Sequence, residues 1–295
     1  MIDGQTQLVG VMGWPVAHSL SPAMHNAAFE ALGLNWRYVP LAVRPDQVGG
    51  AVEGLKALGF RGANVTVPHK ESVVPYLDQL PPQVRRFGAV NTIVIDRSQE
   101  PRCTLTGQNT DVQGFILALQ EGGFDPAGRR VLVVGAGGGA RGVVAALCGA
   151  GAASVAVLNR TPVRAAALVA DLSACAGGAR LVAHALTPEA LERHAADADL
   201  LVNATTAGMW PHVNASIWPA DLPLPSHLAV CDLVYRPLET QLLRRAHAAG
   251  ALCIDGLSML IWQGALSFEM WTGRRAPVAA MRAACQAALE GEIHG

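Results

Sequence analysis

The sequence predicts an α/β protein of two domains, and three observations carry that expectation. Short apolar runs with strand character alternate with helical stretches along the first third of the chain, which argues for a mostly parallel sheet. A second alternation opens at Arg129, where an apolar strand, a glycine-rich turn and a helix follow one another as in a βαβ unit. Two helical stretches, 256–273 and 277–289, close the chain; the first is apolar enough to lie between domains, and both are expected to pack back on the first domain. With 295 residues and a prior of roughly 100 to 200 per domain, there is chain enough for two cores.

In order, strands are expected near 8–12, 37–41, 62–67 and 92–95, with helices near 22–32 and 47–58. Ser21 is expected to cap the first helix, Pro22 to fill its first turn and Gly33 to stop it. Residues 93–106, turning around Asp96-Arg97-Ser98, read as a hairpin appended to the sheet. The first domain then spans 1–108, completed by 255–295, and the second spans 109–254, with later strands near 200–203 and 228–233. There is no internal repeat or low-complexity linker. Ligands of such sheets sit outside the carboxyl ends of the strands, so a crevice between the domains is the expected place of chemistry.

The glycine turn carries the first specific signal. Val131 to Val134 run into Gly135-Ala136-Gly137-Gly138-Gly139-Ala140, a helix, and a second strand ending Asn159-Arg160. In a Rossmann unit Gly135 allows the tight turn, Gly137 lets backbone approach a pyrophosphate, and Ala140 lets helix pack on strand, with phosphates at the helix N-terminus. Where NAD sites place an acid on the ribose diol, this chain has Asn159-Arg160-Thr161 and Arg164. Arginine suits a 2'-phosphate through its planar fork of donors, so the expected cofactor is NADP.

Composition narrows the partners. A chain that is 51% hydrophobic and 15% charged is a compact globular one. Its net charge of −1, with no basic stripe, argues against nucleic acid and for a small-molecule substrate; a homodimer is compatible with it. The six cysteines form no CxxC pair and have no histidine at ligand spacing, which reads as reduced thiols and no metal. The start of the chain contains Asp3 and lacks a basic leader, and the uncharged stretch 142–158 belongs to the Rossmann helix and strand. The expectation is therefore a cytoplasmic protein without a membrane span.

Lysine occurs only at Lys56 and Lys70, against twenty arginines. Arginine cannot lose its proton in a protein whereas a lysine can be tuned, so lysine is kept where titration matters. Lys56 lies in a helical stretch and reads as a solvated charge. Lys70 follows Asn64-Val65-Thr66-Val67-Pro68-His69 at the end of a strand, or else starts a surface helix with Glu71. Asp111 sits where the first domain hands over to the second. It either faces Lys70 across the expected crevice or is an ordinary acid at a helix N-terminus, and both readings stand at this point.

Several blocks occur in order over nearly the whole chain: His18-Ser19-Leu20-Ser21-Pro22, 64–70, Ala89-Val90-Asn91-Thr92, 107–111, the glycine loop, Asn159-Arg160-Thr161, 203–209, 232–237 and 256–263. With them the sequence resembles the shikimate dehydrogenase family. The resemblance implies NADPH-dependent reduction of 3-dehydroshikimate to shikimate. It implies that Ser19 and Ser21, with Tyr235, bind the substrate carboxylate, and that Asn64, Thr66, Asn91, Asp111 and Gln263 grip the ring hydroxyls. Lys70 would give and take the proton at the ketone oxygen, with Asp111 orienting its ammonium. Gly135, Ala136, Gly137, Gly138, Gly139, Asn159, Arg160, Thr161, Arg164, Leu233 and Gly256 would contact NADP.

The chain departs from the family's pattern in running Gly-Gly-Gly-Ala through the loop and in carrying Pro82 where some members have an acid near the cofactor. His18, His25 and His69 fall near the expected pocket without metal-like spacing. A quinate or aminoshikimate dehydrogenase of the same fold is the close rival, although the Ser19/Ser21 pair favours shikimate. A non-catalytic NADP sensor would need the loop and Arg160 but not Lys70 and Asp111. Glutamyl-tRNA reductase shares a related nucleotide domain but needs a thiol in its first domain, where only Cys103 precedes the glycine loop.

Overall fold

A computed structural model describes residues 2–99 and 101–293; residues 1, 294 and 295 of the expected first domain, and Glu100 within the expected hairpin, lie outside the described residues. The chain divides into two compact units, 1–110 with 263–295, and 111–262. The divisions fall a few residues beyond the expected 108/109 and 254/255, for two local reasons. Thr110 is tied to the first unit, its backbone N–H donating to Asn91 Oδ1 at 2.7 Å. Gly256 belongs with the second, because its backbone lies so close to Leu233 that a Cβ there would collide with the Leu233 carbonyl.

In the first unit the strands β1 (Gln7–Gly13), β2 (Trp36–Ala42), β3 (Gly62–Val65), β4 (Thr92–Gln99) and β5 (Arg102–Gln108) form one sheet in the order β2-β1-β3-β4-β5. β1 pairs parallel with β2 and β3, while β4 and β5 continue the sheet antiparallel, so the appended hairpin gives it a mixed character. The helices are α1 (Ser21–Ala31), α2 (Val48–Ala57) and the short α3 (Pro82–Phe87). Met12, Val52, Leu55, Ala63, Val65, Ile93 and Leu105 lie in one buried cluster between sheet and α2. Burying side chains of that size contributes roughly 1.5 to 3 kcal/mol each.

Three local expectations are corrected. Ser21 does not cap α1: Leu20 is already in helical geometry (φ −81°, ψ −10°) and makes no side-chain cap, so Ser21 is the first helical residue. The Ser19 hydroxyl instead accepts from the Ser21 N–H at 3.3 Å. The strand expected over 62–67 ends at Val65, because the Thr66 N–H still bonds Met12 O but the Thr66 carbonyl then accepts from His69 N and closes a turn. The hairpin does not turn at Asp96-Arg97-Ser98. β4 runs through these residues to Gln99 with a register shift, held by an Asp96 Oδ1 bond to the Ser98 N–H and by Arg97 donating to the Phe60 carbonyl.

The second unit opens with α4 (Thr110–Glu121), whose first residue still counts with the first. Then come β6 (Arg130–Val134), α5 (Gly138–Gly149), β7 (Ser154–Asn159), α6 (Pro162–Ser173), β8 (Arg180–Ala185), α7 (Pro188–Asp197), β9 (Leu200–Asn203), β10 (Ala229–Asp232), α8 (Gln241–Ala248) and β11 (Cys253–Ile254). The sheet order is β11-β10-β9-β6-β7-β8 with every pair parallel, the doubly wound Rossmann order whose direction reverses between β6 and β9. Val131 to Val134 are all buried, as expected of a strand covered on both faces, which is why they read as an unbroken apolar run. α9 (Gly256–Thr272) and α10 (Val278–Ile293) close the chain, and α10 packs against α1. No helix among the described residues is long and apolar enough to cross a membrane.

Candidate active site

In the first unit the expected residues gather at the carboxyl ends of β1 and β3. Lys70 is half-buried in the turn that follows β3, and that turn is tied to three neighbours. The Thr66 N–H reaches Met12 O on β1 at 2.9 Å, the Lys70 carbonyl accepts from Val90 N at 2.8 Å, and His69 Nε2 meets Val43 O at 2.6 Å. His69 is thus a buried anchor that holds its neighbour Lys70 in place, which explains a histidine at this position without any metal.

Beside it lies a buried polar network. Asn64 on β3 accepts from the Tyr38 hydroxyl at 2.8 Å, and its amide N–H₂ faces Asn91 O at 3.2 Å, Thr92 Oγ1 at 3.1 Å and Ser267 Oγ at 3.0 Å. Asn91 donates to Thr110 Oγ1 at 2.9 Å and lies 3.4 Å from Gln263 Oε1, while its own oxygen accepts from Thr92 Oγ1 at 3.0 Å. Ser267 in turn donates to the Gln263 carbonyl at 3.0 Å, one helical turn back. The structure therefore brings Asn64, Asn91 and Gln263 together, and adds Tyr38, Thr92, Thr110 and Ser267, to which sequence reasoning gave no role. Thr92 and Thr110 adjoin flagged residues, and Ser267 stands four residues after Gln263 on the same helix face, so an i, i+4 reading could have found it. A network satisfied this completely is rigid, and orphaning one of its members costs about 1 to 3 kcal/mol. Ser19 is half-buried and Ser21 buried at the start of α1, and Thr66 is half-buried beside Lys70.

In the second unit the expected cofactor residues lie at the carboxyl ends of β6, β7 and β10. Gly135 has φ +120°, and a Cβ there would stand 2.7 Å from the Ala204 carbonyl, so the turn after β6 requires glycine twice over. A Cβ on Gly137, Gly138 or Gly139 would meet no protein atom within 4 Å, and no side chain caps α5. Open room in front of uncapped N–H groups at a helix start fits a pyrophosphate. After β7, Asn159 donates to the Thr161 carbonyl at 2.9 Å and holds the turn that carries Arg160 and leads into α6, whose first turn carries Arg164; both arginines are exposed. Two exposed guanidinium groups at that strand end fit the extra phosphate of NADP. Arg141, on the first turn of α5, is paired with Asp171 at 2.6 Å.

Gly256 and Leu233 touch through their backbones, and Tyr235 is half-buried two residues further on. Between them and the glycine loop sits Asp232, fully buried at the end of β10 and unassigned by sequence reasoning. It accepts from Asn203 Nδ2 at 2.8 Å, Val234 N at 3.0 Å and Thr240 Oγ1 at 2.7 Å. Asn203 also donates to Ala207 O and accepts from Thr205, so one carboxylate ties down the loops after both β9 and β10. Burial pushes the Asp232 carboxyl up to about 6, against the lowering effect of those three donors. Asp111 is buried on the first turn of α4, where Gly142 of α5 packs near its Cβ. All six cysteines are free, and no group of three His, Cys, Asp or Glu among the described residues could hold a metal ion.

Known proteins match the chain along most of its length. The family model for the shikimate dehydrogenase substrate binding domain matches residues 11–93, that for shikimate / quinate 5-dehydrogenase matches 117–215, and that for the shikimate 5'-dehydrogenase C-terminal domain matches 256–286. A shikimate dehydrogenase (NADP(+)) of Moorella thermoacetica is 50% identical, over 95% of this chain and 92% of its own. The crystal structure of shikimate 5-dehydrogenase from Thermus thermophilus, in complex with NADP(H) and shikimate, superposes with a TM-score of 0.84 at 43% identity, covering 96% of this chain and 100% of that one. A quinate dehydrogenase from Corynebacterium glutamicum in complex with NAD also superposes, with a TM-score of 0.87 but 33% identity, over 96% and 99% of the two chains.

Proposed function

The chain belongs to the shikimate dehydrogenase family, and from that membership we infer that it catalyses the reversible NADP-dependent reduction of 3-dehydroshikimate to shikimate. The observation that carries the reading is the joint presence, in a chain so similar to NADP-dependent shikimate dehydrogenases, of a polar network suited to a polyhydroxylated ring and an arginine-bearing turn after β7. Hydroxyls and amides both donate and accept, which is what selection among ring hydroxyls requires.

NADP would be held by Gly135 to Gly139, Asn159 to Thr161, Arg164, Leu233 and Gly256; when bound, its nicotinamide supplies or takes the hydride. The protein's own part is acid–base chemistry and positioning. Ser19, Ser21 and Tyr235 hold the ring carboxylate, while Asn64, Thr66, Asn91 and Gln263 fix the hydroxyls. The Lys70 ammonium gives its proton to the oxygen on which negative charge develops, and takes one back in the reverse direction. Asp111 is the carboxylate that orients that ammonium. The anchored turn around Lys70 supports this role, because a proton donor must be held within hydrogen-bond reach of the atom it serves.

The quinate reading is weaker, since the quinate dehydrogenase is less similar in sequence than the shikimate enzymes and the Ser19/Ser21 pair is present. A homodimer and a cytoplasmic setting complete the proposal, the latter in keeping with six free thiols. The test is spectrophotometric: NADP+ reduction with shikimate should far exceed that with quinate, and with NAD+ in place of NADP+. Equal rates with both acids would favour the broader enzyme.

A further inference from the structure

We propose that Tyr38 is a positioning residue of the substrate site, its hydroxyl setting the orientation of Asn64. The inference rests on the reading above, in which Asn64 meets the hydroxyls of the ring acid. Tyr38 stands on β2 and belongs to none of the sequence blocks that carry the family resemblance. It is 2% exposed, yet its phenolic oxygen lies 2.8 Å from Asn64 Oδ1.

The direction of that hydrogen bond is not free. Asn64 Nδ2 faces the Asn91 carbonyl, which can only accept, so the nitrogen lies on that side and the oxygen faces Tyr38. An amide oxygen cannot donate, so the single phenolic proton is committed to Asn64. One buried oxygen thus sets the amide of Asn64, its Nδ2 turned toward Asn91 O, Thr92 Oγ1 and Ser267 Oγ. Burial pushes the Tyr38 hydroxyl far above its ordinary range, so it remains a donor at every working pH.

The ring is held firmly enough for this. The Asn26 side chain bonds both the N–H and the carbonyl of Tyr38, each at 2.9 Å. His25 stacks on the ring with centroids 4.4 Å apart and planes 3° from parallel, and Trp271 closes on His25 at 5.4 Å while donating its indole N–H to Ile93 O at 2.9 Å. Neither ring nitrogen of His25 has a hydrogen-bond partner among the described residues, and burial lowers its pKa to about 3. It is therefore a neutral flat plate rather than an acid or base.

Tyr38→Phe removes the hydroxyl and leaves the stack intact. In steady-state assays beside the wild type, KM for shikimate should rise on the order of tenfold, while kcat and KM for NADP+ stay within about twofold. A double-mutant cycle with Asn64→Ala should be non-additive, the pair losing less than the product of the single losses. An unchanged KM for shikimate, strict additivity, or an unfolded Tyr38→Phe chain would each overturn the proposal, the last because the hydroxyl would then serve folding rather than positioning. A wild-type enzyme inactive on shikimate would instead overturn the functional reading on which the proposal rests.

Discussion

The substrate half and the cofactor half of this protein are built from different materials. In the first unit, chemistry is presented by buried side chains from far apart in the chain: Asn64, Asn91, Thr110 and Ser267 meet in one network although Asn64 and Ser267 are 203 residues apart. In the second, the corresponding features are short turns at strand ends, where Gly135 and the residues after it offer bare backbone and Arg160 and Arg164 stand in solvent. One half is specified by tertiary packing, the other by local backbone geometry. The difference teaches where each should be fragile: a fully satisfied buried network fails as a unit, whereas exposed charges on a turn can be removed one at a time.

The largest effect is expected at Lys70. Lys70→Ala should lower kcat by about 10²- to 10⁴-fold with little change in the dissociation constant for shikimate, measured by calorimetry on the same protein. Turnover near wild type in the folded variant would remove the proton-transfer role. Next comes Asn91→Ala, which takes the acceptor from the Thr110 N–H and a partner from Thr92. Urea unfolding should show a loss of roughly 2 to 4 kcal/mol, from more than one orphaned buried group; a loss under about 1 kcal/mol would mean that the network is not cooperative.

On the cofactor side, Arg160→Gln should raise KM for NADP+ about 10- to 100-fold while leaving KM for NAD+ and the stability almost unchanged, the graded behaviour of an exposed site. A comparable loss with NAD+ would show that Arg160 does more than hold the extra phosphate. The smallest effect concerns Asp232, where the cofactor side also uses a buried side chain. Its carboxyl sits at about 6 when folded, above the ordinary carboxylate value of 3.8, so the native state binds the proton more tightly than the unfolded chain. That contribution is present below about 4 and is lost as pH rises through about 6. Denaturant midpoints should therefore fall less steeply between about pH 4 and 6 in Asp232→Asn than in the wild type, and the two should run parallel above that window; identical slopes throughout would mean that Asp232 is not the titrating group.

How far the sequence could be read follows the same division. The Rossmann half was legible because its signals are contiguous: the run from Val131 to Val134, the glycines and the Asn159-Arg160 turn all fall within one βαβ unit. In the substrate half the strands and both closing helices were legible from their periodicity, but the members of the network were reached only through resemblance, and Tyr38 and Ser267 not at all. A tyrosine on an edge strand and a serine on an apolar helix carry no periodic signature, and their roles exist only once β2, β3 and α9 come together. The misplaced cap at Ser21 and the misplaced turn at Asp96-Arg97-Ser98 both come from residue types that commonly mark an element's boundary: Leu20 is already helical before Ser21, and Arg97 reaches the Phe60 carbonyl as β4 runs on. Asp232 was overlooked because a lone acid at a strand end has no spacing to announce it.

The clamp that Asn26 places on Tyr38 has one further consequence. β2 is the outermost strand of its sheet, and an unpaired edge invites another chain to add itself and start an aggregate. Along β2 the outward N–H and C=O of Tyr38 are already engaged by Asn26, Pro40 has no N–H to offer on that same side, and the Trp36 N–H turns back to Leu34. The strand that carries Tyr38 therefore presents an interrupted ladder to a neighbouring molecule, and the side chain that steadies the tyrosine also blunts this border.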